Sequence, residues 1–120
     1  LLSNALDPAV VDRHVRYELD RILKYLLPQR VYLFGSAARG EMTDQSDLDF
    51  LIVLANDSPY RDRKRAYYQS PETRIVPVDA VFVTESEFDA RSQVGGVCMV
   101  SKDEGQLLYL RTKGSSSSDA

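Results

Sequence analysis

Thirteen residues, 35–47, separate two apolar runs, and that short distance limits the folds open to the chain. Val31-Tyr32-Leu33-Phe34 is β-branched and aromatic and stops at Gly35, while Leu48 to Leu54 is apolar on both alternating faces once Asp49 is passed. Both runs read as strands, the second covered on its two sides. The connection is small and polar, with Gly40 and Thr43-Asp44-Gln45-Ser46 supplying turn chemistry. It has room for a helical turn beginning at Ser36 and a return loop, and too little chain for a long crossover helix. The second strand therefore returns alongside the first. This predicts an α/β fold, a mixed β-sheet flanked by helices, and argues against a Rossmann fold.

The remaining chain supplies the flanking elements. Asp7-Pro8 pairs an N-cap with a first-turn proline, and Val11, Val15, Leu19, Ile22 and Leu26 follow at helical spacing, which predicts an amphipathic helix to near Pro28. His14, the only histidine, lies beside that stripe and reads as a structural or surface residue. Ser58-Pro59 repeats the start signal and predicts a helix to about Gln69, whose first turns carry Arg61, Arg63, Lys64 and Arg65 around Asp62. This basic cluster reads as a solvated face, although cations near a helix N-terminus are mildly unfavourable and leave room for contact with an anion. Tyr67 and Tyr68 are expected in the core or at its rim. Residues 74–83 (RIVPVDAVFV) form a third strand candidate, with Pro77 confining its early part to an edge or an irregular start. Thr84 with Glu87 is a capping box that opens a helix through about Ser92, ahead of Gly95-Gly96. Residues 97–100 and 107–110 are short apolar runs, the second a last strand or a helical turn.

At 120 residues the chain has room for one core and not for two ordinary domains, so residues 1–113 are expected to be one domain and 114–120 a flexible Ser-rich tail. A net charge of -3 gives no bulk attraction to nucleic acid or to an anionic membrane, so any partner is recognised locally. Cys98 is the only cysteine, which excludes an internal disulfide and fits a reduced, cytoplasmic protein, with Cys98 a small buried apolar residue. No stretch approaches the roughly 18 apolar residues of a membrane span, and the first residues lack the apolar core of a signal peptide.

The chemistry concentrates between residues 33 and 53. Residues two apart on a strand share a face, so Asp47 and Asp49 would project side by side, with Cα atoms about 6.5–7 Å apart. Two hard oxygen ligands so placed suit Mg²⁺, and a pair of ions about 3.5–4 Å apart would steady both the attacking and leaving oxygens of an in-line displacement. Asp79 is the candidate third carboxylate, because it sits inside an apolar run where an acid is costly to bury without a cation. Gly35 lets the backbone approach a bulky anion, and Ser36 offers a hydroxyl and a main-chain N–H at the start of a helical turn, where the dipole favours phosphate. Arg39, the one cation of the connection, is placed to reach a phosphate oxygen or to face solvent. An EF-hand calcium loop is disfavoured, since residues 48–52 continue as a strand where such a loop needs a glycine turn and a closing Glu.

Phe34-Gly35-Ser36, then Asp47-Leu48-Asp49-Phe50, with Val78-Asp79-Ala80 downstream, resembles the signature of the DNA polymerase beta type nucleotidyltransferases, and the length is similar to their minimal (MNT) domains. The resemblance spans roughly residues 8–110. It implies a polymerase beta palm-like fold, with Asp47, Asp49 and Asp79 as catalytic metal ligands for two Mg²⁺ ions and with Gly35 and Ser36, joined by Arg39, on the triphosphate of ATP. Many such domains are antitoxins of a helical HEPN-domain toxin, and some transfer AMP to a toxin tyrosine. The expected function is therefore AMP transfer to a HEPN partner with release of pyrophosphate, with neutralisation by binding alone, or transfer to a small molecule or an RNA end, as the alternatives. A homo-oligomer is left open. Ala37 departs from the pattern, in which Arg often follows the Gly-Ser pair.

Overall fold

The computed structural model describes residues 5–72, 76–96 and 104–111. The runs α1 (Pro8–Leu26), β1 (Arg30–Phe34), α2 (Gly35–Ala38), β2 (Leu48–Leu54), α3 (Tyr60–Tyr68), β3 (Val78–Thr84), α4 (Glu85–Arg91) and β4 (Gln106–Leu110) follow one another along the chain. The four strands form one sheet in the order β3-β2-β1-β4. β1 pairs antiparallel with both β2 and β4, while β2 and β3 run parallel, so the sheet is mixed as the short connection requires. The parallel pair is joined through α3.

Each face of the sheet has its own cover. Val31, Leu33, Leu48, Phe50, Ile52 and Leu54 face α1 and α3, where Val15, Ile22, Leu26 and Tyr67 close the main core. Tyr32, Leu51, Val53 and Val83 face the other way, against Phe88 of α4. Tyr32 and Phe88 stack with ring centroids 5.4 Å apart. β2 contributes to both layers, with Leu48 and every residue from Phe50 to Leu54 essentially inaccessible. Each such side chain is worth about 1.5–3 kcal/mol of burial, so this strand is the axis of the fold.

Asp7 caps α1 through its side chain, accepting from Ala9 N, with Pro8 in the first turn. The buried face of α1 holds more than the apolar stripe: Glu18 and Arg21 are buried there as well. Arg21 donates to Glu18 at 2.6 Å, to Tyr67 O at 3.0 Å and to Ser70 Oγ, and the Tyr67 hydroxyl donates to Glu18. This network fastens α1 to α3, and the periodicity of apolar residues gives no sign of it.

Other boundaries move for local reasons. Ser58 is not the cap of α3, since the first turn opens from Pro59 without a side-chain cap and the Ser58 hydroxyl accepts from Arg63 instead. Among the described residues of the 74–83 run, the strand begins only at Val78, after Pro77, which lacks an N–H for the ladder. Thr84 and Glu87 form the expected capping box reciprocally. The 107–110 run is a strand, beginning one residue earlier at Gln106. Tyr67 is fully buried, whereas Tyr68 is half exposed at the rim. The 97–100 run, Cys98 and the tail from 114 lie outside the described residues. Among the described residues no helix is long and apolar enough to cross a membrane.

Candidate active site

Register decides which acids can meet. Asp49 is the second residue of β2, and its partner across the parallel ladder is Asp79, the second residue of β3. Cross-ladder partners share a face, so both carboxylates stand on the side of the sheet away from α1. Asp47 lies one residue before β2 begins and is exposed, so it reaches the group from the incoming loop rather than from a strand. Asp79 is exposed too, because β3 is an edge strand. The expectation of a buried acid at 79 is thereby corrected: only Asp49 is partly buried, since it lies one strand further in.

On the other side of Asp49 stands β1, whose last residue Phe34 is its antiparallel partner. The chain must leave the sheet at once to form α2, and Gly35 does so at φ +73°, a left-handed conformation that side chains disfavour. A Cβ at Gly35 would collide with Asp49 Oδ2, with Asp49 Cγ and Cβ at 3.0 and 3.3 Å. Gly35 is therefore required twice, by its backbone and by the carboxylate against it. Ser36 follows in the single turn of α2, and Arg39 is the residue that caps its end. The loop is tied down by Glu41 N to Ser36 O at 2.8 Å and Leu6 N to Met42 O at 2.7 Å, while Gln106 Nε2 of β4 donates to Ala38 O at 2.9 Å.

The electrostatics are one-sided. Burial pushes the Asp49 carboxyl above its ordinary range, the charges of Asp79 and Asp47 push it further, and Arg39 opposes them. Arg39 itself is exposed, its Nε donating to Glu41 at 2.9 Å. Like charges gathered without compensation are unfavourable in the absence of a cation. Among the described residues no three His, Cys, Asp or Glu side chains close on one point as a finished metal centre does, so the three acids are neighbours rather than a preformed cage. The donor set nevertheless fits a hard divalent ion: all its atoms are carboxylate oxygens, and a cation would offset the burial and the like charges that hold Asp49 up. A cavity of about 420 Å³ lies behind α2, lined by Leu33, Ala37 and Leu108 among others, but it opens on the α1 face and is no part of the acidic group.

All six residues singled out from sequence, Gly35, Ser36, Arg39, Asp47, Asp49 and Asp79, come to the same end of the sheet. What sequence reasoning missed is the contact between Gly35 and Asp49, which depends on register. A palm-like mixed sheet with carboxylates beside a Gly-Ser turn defines the class, and the comparisons with known proteins agree with it. The model of the nucleotidyltransferase domain family matches residues 14–108, and the chain belongs to that family. The fold is similar to that of a Sulfolobus solfataricus protein described provisionally as a nucleotidyltransferase, 22% identical, with 88% of this chain and 86% of that chain covered at a TM-score of 0.56. No curated protein matches the chain. Fold and family support nucleotidyl transfer as the activity.

Proposed function

We propose that the protein is a Mg²⁺-dependent adenylyltransferase that moves AMP from ATP to a tyrosine of a HEPN-domain toxin and so acts as its antitoxin. The observation that carries the transfer chemistry is the register that sets Asp79 opposite Asp49 on the face reached by the Gly35 turn. Asp47, Asp49 and Asp79 would hold Mg²⁺, which supplies neutralisation of the phosphate charge when bound. Gly35 lets the turn pack directly against Asp49, and the Ser36 hydroxyl and main-chain N–H would donate to the triphosphate oxygens. Asp79, exposed at the sheet edge, is within reach of an incoming macromolecule and takes the phenolic proton. The phenol oxygen bonds to the α-phosphorus, the α–β bridging bond breaks, and pyrophosphate leaves with the electron pair. Positioning and charge neutralisation supply the rate, and no covalent enzyme intermediate is needed.

A tyrosine on another protein suits this acceptor site, because Asp79 stands exposed on the edge strand and Asp47 exposed on the incoming loop, with only Asp49 partly buried between them. The test is incubation with α-labelled ATP, Mg²⁺ and a HEPN-domain protein as the acceptor. Label should pass to a partner tyrosine and should be lost with Asp47→Asn. Transfer unchanged by that substitution, or no transfer at all, rejects the reading.

A further inference from the structure

The opposite end of β2 and β3 carries a second feature that the transfer chemistry leaves unused. On α3, Arg61, Lys64, Arg65 and Tyr68 recur at steps of three, one and three, which places them along one side of the helix. Arg61 and Arg65 are exposed and, among the described residues, have no carboxylate partner, whereas Arg16, Arg39 and Arg91 each have one. Tyr60 and Tyr68 are 41% and 53% exposed beside them, a large aromatic area left in water. Lys64 Nζ lies 4.6 Å from the Phe82 ring centre and 5.7 Å from that of Tyr60. It helps line a cleft of about 170 Å³ together with Leu54, Tyr60, Phe82, Val83, Thr84 and Glu87. Tyr67, the buried residue of α3, belongs to the core on the α1 face, and the cleft lies where β2 and β3 end at Leu54 and Thr84, the opposite end of the parallel ladder from Asp49 and Asp79.

We propose that this face of α3 is a docking surface for an acidic helical segment of a partner protein, whose carboxylates lie across Arg61 and Arg65 and whose apolar side chains pack on the exposed rings of Tyr60 and Tyr68. Charge complementarity selects the sign of the partner, since these cations form a local positive patch on a chain of net charge -3. Exposed tyrosine and arginine side by side on one helix face is the composition of protein interface hot spots. Nucleic acid fits less well, because one nine-residue helix engages only a few phosphates and Glu87 in the cleft lining would repel one more. The proposal stands whether or not the chain transfers nucleotides, because the two features lie at opposite ends of β2 and β3.

The test needs neither ATP nor Mg²⁺. Two fluorescent probes are titrated against the whole protein at low salt: a helical peptide with glutamates four residues apart and a leucine in each turn, and a 20-nucleotide oligouridylate. The peptide should bind at least tenfold more tightly than the RNA, should lose at least tenfold on Arg61→Glu with Arg65→Glu, and should lose part of its affinity on Tyr68→Ala. The control Arg13→Glu with Arg16→Glu, which changes charge equally on α1, should leave binding within about twofold, and circular dichroism should show all variants folded. Tighter RNA binding, equal loss in the control pair, or no peptide binding overturns the proposal.

Discussion

Glu18 and Asp49 are both withdrawn from water, wholly and in part, and they are treated in opposite ways. Glu18 is 2% exposed and fully compensated, accepting from the Arg21 guanidinium and the Tyr67 hydroxyl. Asp49 is partly buried and has other acids for neighbours, with its carboxyl pushed up as a result. The first arrangement holds two helices together and needs nothing from outside. The second is incomplete by construction, and a group that is unfavourable alone is what a ligand of opposite charge can use.

The largest effect that separates the two is on stability. Glu18→Ala leaves the Arg21 charge buried without its partner and should lower unfolding stability by about 3–5 kcal/mol in urea titration, whereas Asp49→Asn should not destabilise at all. An equal loss for both would erase the contrast. Next, Gly35→Ala forces a Cβ into Asp49 and a side chain into a left-handed conformation. It should reduce stability by about 1–2 kcal/mol and the transfer rate by about a hundredfold or more, read as kcat with labelled ATP. A variant with wild-type transfer would mean that the Gly35 turn does not set the position of Asp49.

How far the sequence speaks differs in the same way between the two regions. That the candidate residues would gather at one end of the sheet was legible because their spacing is local: a glycine ending one strand, a carboxylate pair opening the next, and an acid in a third apolar run. The limits of β2 and the cap of α4 were equally legible, since alternation and the Thr84–Glu87 pair depend only on near neighbours. The Glu18–Arg21–Tyr67 network was not, because its partners are 46 and 49 residues apart and meet only after α3 packs on α1. Asp79 was legible by type and misjudged in burial. Its exposure follows from β3 being an edge strand, which strand order decides and composition does not.

A smaller effect sharpens the compensated side. Glu72 accepts from Lys24 at 3.0 Å and from the Tyr25 hydroxyl, tying the segment after α3 back to α1. The hydrogen bond from Lys24 chiefly holds its carboxyl down at about 2. A carboxyl lowered in the folded state stabilises above its unfolded value and loses that contribution as pH falls toward 2. Glu72→Gln should therefore destabilise slightly at neutral pH and abolish part of the acid dependence of the melting temperature between about pH 4.5 and 2, without changing transfer. No change in that acid limb would show the clasp to be inert.

Asp49 has the reverse sign: its raised carboxyl binds a proton more tightly when folded, so stability falls as pH rises past the ordinary carboxylate range. The most direct measurement is the melting temperature of wild type and Asp49→Asn at neutral pH, first with a chelator and then with Mg²⁺. With chelator the variant should melt at or above wild type. With Mg²⁺ at ten times its Kd, wild type should gain about 1.4 kcal/mol, or about 4–8 °C, and the variant almost nothing. A variant that melts well below wild type with chelator, or that gains as much from Mg²⁺, contradicts a cation-demanding carboxylate cluster at the head of β2 and β3.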